Sequence, residues 1–123
     1  MTSNALNVFG QPLEACCSEP ATGFFRDGFC HHAAQDRGQH LLCAVVTQAF
    51  LDFSLQLGND LITPRVLFQF PGLKAGDRWC LCVSRWLEAK NAGVAPPLVL
   101  ASCHQDALSK IPLTLLQAHS WQP

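Results

Sequence analysis

Seven cysteines carry most of the chemistry available to this 123-residue chain: Cys16, Cys17, Cys30, Cys43, Cys80, Cys82 and Cys103. Cys80 and Cys82 stand two apart in the apolar run Trp79-Cys80-Leu81-Cys82-Val83, which reads as a strand. Strand side chains alternate between faces, so both thiols point one way and Trp79, Leu81 and Val83 the other. If Leu81 faces the main core, the two thiols face a second layer or a pocket. Cys16 and Cys17 are adjacent, so in an extended segment one can reach a shared point while the other packs elsewhere. Cys30-His31-His32 places a thiol and two imidazoles in a loop, and Cys103-His104 opens a helix, whose N-terminus favours a thiolate. Cys43 lies inside an apolar strand and reads as packing.

Zinc takes three or four sulfur or nitrogen ligands in a tetrahedron, with signatures such as a repeated C-x2-C. No such spacing occurs, so no cofactor is expected from motif. Were zinc or another thiophilic metal held, Cys80, Cys82 and Cys30 would be the ligands to test. The plainer reading treats most of the cysteines as small buried hydrophobes. For thiol chemistry the candidates are Cys80 and Cys82, with Cys17 or Cys30 brought across to them. Asp60 or His104 would handle protons, and His40 is a further imidazole candidate for that role. Arg26 and Asp27 are the candidates for binding a ligand or polarising a thiol; the simpler reading is a fixed turn. Asn59-Asp60 reads equally as a loop cap, and Trp79 and Trp86 as core.

The elements that must position these groups follow from turn formers and periodicity. Asn4 to Gln39 is rich in Gly and Pro and reads as irregular chain with short extended pieces, pinned by Phe9, Phe24, Phe25 and Phe29. His40 to Val46 reads as a buried strand. Thr47 can cap a helix over Gln48 to Leu57, closed by Gly58. Val66 to Phe70 suits an edge strand and Arg78 to Val83 a strand, after which Ser84 can cap a helix running through Ala92. Leu98 to Ser102 suits a further strand, with helices over Ser102 to Lys110 and Leu113 to His119. The expectation is an α+β (or α/β) layer fold. It would be a single compact domain over residues 1–123, with 1–6 as a flexible tail, a small mixed sheet of about four strands and three to four helices.

Composition narrows the function. At 49% apolar residues the chain is not disordered. Charged residues make up 14%, against ~25% in average domains, which suits a polar surface or one covered in a homo-oligomer. Net charge is −1 and no Lys/Arg run occurs, so nucleic acid is not an expected partner. The apolar runs are too short for a bilayer, so neither is a membrane. Met1 to Val8 lacks the basic and apolar regions of a signal peptide, which suggests a cytoplasmic protein with reduced thiols rather than a disulfide framework.

Pro71-Gly72-Leu73, Gly76-Asp77-Arg78-Trp79-Cys80-Leu81-Cys82 and Arg85-Trp86-Leu87-Glu88-Ala89 together resemble a bacterial family known as domain of unknown function 2237. Asn7 to Leu13 with Cys16-Cys17, Thr22 to Gly28 with Cys30, Gly58 to Leu61, and Ala95-Pro96-Pro97 with His104 extend the resemblance over most of the chain. Cys103 and His31-His32 depart from that pattern. The resemblance implies a shared fold and no defined activity. Three readings follow: a binding or accessory module for a small molecule or protein; a thiol-based redox or metal-binding protein or enzyme using Cys80/Cys82 with Cys17 or Cys30; or a structural subunit of a homo-oligomer.

Overall fold

The computed structural model describes residues 5–18 and 21–122. Its regular elements are β1 (His40–Val45), α1 (Gln48–Gln56), β2 (Arg78–Cys82), α2 (Val83–Asn91) and α3 (Leu113–Ala118), with 3-10 turns at Val66–Phe68, Leu100–Ser102 and Gln105–Ser109. The protein is thus mixed α and β, with three α-helices and one two-stranded antiparallel sheet among the described residues.

β1 is the centre of the core. Leu41, Leu42, Cys43 and Ala44 are all buried, so both faces of the strand are covered. That is why its sequence is continuously apolar rather than alternating. It pairs with β2 in the register Val45↔Arg78, Ala44↔Trp79, Cys43↔Cys80, Leu42↔Leu81 and His40↔Cys82, with an irregularity between His40 and Leu42. α1 starts where the sequence suggests: the Thr47 hydroxyl accepts the Phe50 N–H at 3.1 Å, and Phe50, Leu51 and Ser54 form its buried face. α2 follows β2 without a loop, two residues earlier than a cap at Ser84 would place it, with Cys82 itself at the cap and Val83, Trp86 and Ala89 inward.

Among the described residues the sheet has two strands rather than the expected four. On the free edge of β1, Val45 N–H bonds to Pro97 O at 2.9 Å and Val99 N–H to Cys43 O at 2.8 Å. Pro96 and Pro97 carry no N–H, so the ladder stops at the single bridge Ala44↔Leu98, and the chain turns into a 3-10 helix at Leu100. The Val66–Phe70 strand is also absent. Arg65 and Phe70 pair with each other across Gln69, a left-handed residue (φ 53°), leaving Val66, Leu67 and Phe68 on a solvent-facing tip.

The N-terminal segment is irregular, as expected, but three of its four phenylalanines do not pin it: Phe9, Phe24 and Phe25 are 48%, 40% and 56% exposed, and Phe29 is half-buried. Directed bonds fix it instead and turn the rings outward. Asn7 is buried and donates to Ala101 O at 3.1 Å, and the Thr22 hydroxyl accepts the Cys80 N–H at 2.8 Å. Cys16 and Cys30 add covalent staples, described below. The tail expected over 1–6 lies partly outside the described residues; Leu6, within them, bridges to Pro12. Among the described residues no helix is long and apolar enough to cross a membrane.

Candidate functional site

The register of β1 on β2 places Cys43 directly opposite Cys80. Neither bonds to the other. Each reaches a cysteine of the N-terminal segment: Cys16–Cys43 and Cys30–Cys80 are disulfides, with Cα separations of 5.6 and 5.5 Å, ordinary for cystine. The expectation that all seven cysteines are thiols is therefore corrected for four of them, as is the reading of Cys43 as simple packing. The two staples lie against each other: the sulfurs of Cys16, Cys30 and Cys80 are within 4.8 Å of one another and fully enclosed. Of the adjacent pair, Cys16 joins this cluster. Cys17 stays a half-exposed thiol outside it.

Cys80 and Cys82 part company. Cys80 is locked in the core, whereas Cys82, at the end of β2, is a half-exposed free thiol facing its cross-strand partner His40. Its Sγ lies 3.2 Å from His40 Nε2. His40 Nδ1 in turn lies 2.8 and 3.0 Å from the two carboxylate oxygens of Asp36, a buried residue that also accepts the His40 backbone N–H at 2.9 Å. A carboxylate only accepts, so Nδ1 carries the proton in the neutral ring and Nε2 offers its lone pair to the thiol. Burial pushes the Cys82 thiol above its ordinary pKa; the Asp36 charge adds to this, and Arg85 opposes it. The close fit depends on Gly38. A Cβ there would sit 2.7 Å from Cys82 Sγ and 3.0 Å from His40 Cε1. Gln39, between the glycine and the histidine, is left-handed (φ 51°), a conformation costly for a side-chain-bearing residue and found where surroundings enforce it.

His40 also lines a cleft of about 490 Å³. Arg26, Arg65, Asp60 and Asn59 supply polar groups there, and Phe24, Phe68, Phe70 and Trp79 supply aromatic walls. The size suits a small organic molecule. Arg26, like Gln39 and Gln69, is left-handed (φ 56°), and its guanidinium carbon lies over the Trp79 ring 5.0 Å from the centroid. Trp79 is thus a core residue that also floors a ligand-sized space.

The other sequence candidates resolve as follows. Asp27 accepts the Phe29 N–H at 3.1 Å and lies 3.3 Å from His31 Nε2, a turn-fixing role. Asp60 caps its loop by accepting the Ile62 and Thr63 N–H groups at 2.9 and 3.0 Å. Hydrogen bonds from Thr63, side chain first, then backbone, hold its carboxyl below the usual range, which makes it a poor proton acceptor near neutrality. His104 caps the Gln105–Ser109 turn through Nδ1, 3.0 Å from the Asp106 N–H, with burial lowering its pKa. Cys103 is fully buried, and burial pushes its thiol up to about 12. Asp36 and Gly38 were not singled out from sequence. The one available signal was Asp36-x3-His40 just before a strand, which without Cys82 opposite is indistinguishable from a turn.

Fold and site define a small mixed α/β protein with two enclosed disulfides, a histidine-backed thiol and an arginine-bearing aromatic cleft. Over residues 6–120 the chain belongs to the family described as an uncharacterized protein conserved in bacteria, DUF2237, in agreement with the resemblance drawn from its residue blocks. The family carries no assigned activity. No curated protein matches the chain.

Proposed function

We propose that the protein is a binding module for a small anionic molecule with an apolar body, seated in the cleft between Arg26, Arg65 and the aromatic walls. The observation that carries this reading is Arg26. Its backbone is left-handed and its guanidinium carbon lies over the Trp79 ring, 5.0 Å from the centroid, so the exposed cation already has a partner at the cleft before any ligand arrives. A preorganised guanidinium loses little freedom on forming a paired hydrogen bond with a carboxylate or phosphate. Neither nucleic acid nor membrane enters this reading. Thermal-shift titration with a panel of aromatic carboxylates and phosphate monoesters tests it. A binding ligand at 100 times its Kd adds roughly 2.7 kcal/mol to stability, and Arg26→Ala should remove the shift. A panel that shifts wild type and variant alike refutes the cleft as the site.

A second reading concerns the sulfur cluster. In a reducing cytoplasm, the compartment we propose for the protein, the two pairs would open to thiols. Three of these sulfurs already lie within 4.8 Å of one another. Tetrahedral zinc with Zn–S bonds of about 2.3 Å needs sulfurs about 3.8 Å apart, a spacing compatible with Cys16, Cys30 and Cys80, with Cys43, the partner of Cys16, as the fourth ligand to test. Cys82, on His40, is not in this set. Anaerobic reduction followed by zinc titration should give one ion per chain, and no uptake in Cys16→Ser.

A further inference from the structure

We propose that Cys82, His40 and Asp36 form a nucleophile–base–orienter triad that transfers acyl groups from small activated esters or thioesters. The inference rests on the cleft reading above only for its choice of substrate charge.

Geometry carries the argument. Nucleophile and base are 3.2 Å apart, and base and carboxylate 2.8 Å apart, in the order that an acyl-transfer triad requires. The three residues come from a turn, the start of β1 and the end of β2, so the contact is a product of strand register rather than of chain proximity. Asp36 fixes the tautomer that turns the lone pair of Nε2 to sulfur. Gly38 clears the space in which the thiol and ring meet. Helix α2, nine residues long, begins immediately after Cys82, and the N-terminal end of a helix favours negative charge developing beside it. The raised thiol pKa has a consequence for mechanism. Cys82 rests as a thiol, so it becomes nucleophilic only as His40 takes its proton.

The step balances with water as the second substrate. Sγ of Cys82 attacks the acyl carbon while its proton passes to His40 Nε2. The tetrahedral adduct collapses, the bond from acyl carbon to the leaving oxygen or sulfur breaks, and Nε2 returns the proton to the departing alcohol or thiol. Water then attacks the Cys82 thioester and gives a proton to Nε2. The C–S bond breaks, the acid leaves, and Sγ recovers its proton. No electrons change hands, and both disulfides stay intact.

Cys82 does not itself line the cleft, but His40 both touches its thiol and lines the cleft, so His40 is the link through which a donor seated there would reach the sulfur. Arg26 and Arg65 outnumber the single Asp60 carboxylate there, which points to acyl donors bearing a carboxylate or phosphate.

The test uses the oxidised protein with para-nitrophenyl acetate, which is neutral, and para-nitrophenyl hemisuccinate, which is anionic. Expected are a burst of para-nitrophenolate equal to one per chain and an acyl adduct mapping to the peptide that contains Cys82. Cys17→Ala should behave as wild type, and Cys82→Ala should give neither burst nor adduct. His40→Gln should slow acylation about 100-fold, the usual loss on removing a general base. Asp36 is a positioning residue: Asp36→Asn should slow acylation, and Asp36→Glu, which keeps the carboxylate, should recover part of the loss. The rate at which Cys17 reacts with iodoacetamide reports on fold in every variant that retains it. Adducts on Cys17 alone, or unchanged Cys82 acylation in a folded His40→Gln, would overturn the triad. A normal burst with no preference for hemisuccinate, in wild type and Arg26→Ala alike, would instead overturn the anionic cleft and leave the triad standing.

Discussion

Removing the Cys30–Cys80 bridge by the double substitution Cys30→Ala/Cys80→Ala should cost about as much as a large core truncation. A crosslink restricts the unfolded chain by an amount that grows with the logarithm of the loop it closes. For a sequence separation of 50 this gives about 14 cal/mol/K, or about 4 kcal/mol at 25 °C. For the separation of 27 in Cys16–Cys43 it gives about 3.5 kcal/mol. The loops interleave, since Cys30 lies inside the first and Cys43 inside the second. Removing both should therefore cost less than the sum. At roughly 4 °C per kcal/mol for a chain of this size, the Cys30–Cys80 loss lowers Tm by about 15 °C. Urea unfolding under non-reducing conditions measures it, alongside intact mass, which should show the wild type lighter by the hydrogens of two disulfides. A double variant within about 1 kcal/mol of wild type, or a wild-type mass with all thiols present, refutes the reasoning, because the chain-entropy argument holds only for bonded sulfur.

Cys103 predicts a pH dependence. Its folded pKa is raised from the ordinary 9.0 to about 12, so above pH 9 the unfolded chain loses the proton first and stability falls by roughly 1.4 kcal/mol per pH unit until the folded thiol also ionises. Denaturant unfolding between pH 8 and about 11 should show that slope diminished in Cys103→Ala; parallel curves would refute it. Gly38→Ala should push a methyl into Cys82 and His40, slowing iodoacetamide labelling of Cys82 while leaving Cys17 labelling unchanged; peptide mapping distinguishes the two thiols. Leu67 is 95% exposed, so Leu67→Ser should change stability by no more than about 0.5 kcal/mol. Size-exclusion chromatography of the same variant tests the homo-oligomer reading, which expects a shift toward a smaller species.

Local chemistry was legible in the sequence wherever one residue decides the outcome. Thr47 marks the start of α1 because a hydroxyl at that position satisfies the Phe50 amide whatever the rest of the chain does. The continuous apolar run of β1 and the turn at Asn59-Asp60 are readable for the same reason. The missing strands were misread because apolar alternation reports a tendency to extend, not the presence of a neighbour. Pro96-Pro97 removed donors from one edge, and Arg65–Phe70 closed on itself. The outward phenylalanines show the same limit, since hydrophobicity alone has no direction once disulfides fix where a segment lies.

The cysteines make the division clear. The sequence by itself determined their number, the strand carrying Cys80 and Cys82, the membership of a bacterial family and the absence of a metal-ligand spacing. Tertiary structure alone decided that Cys80 is bonded to Cys30, that Cys16 rather than Cys17 joins Cys43, and that Cys82 meets His40 and Asp36. Spacing in sequence encodes only the local periods of strand and helix. Which sulfur meets which partner depends on the register of β1 against β2, where a shift of one residue would turn every side chain to the opposite face.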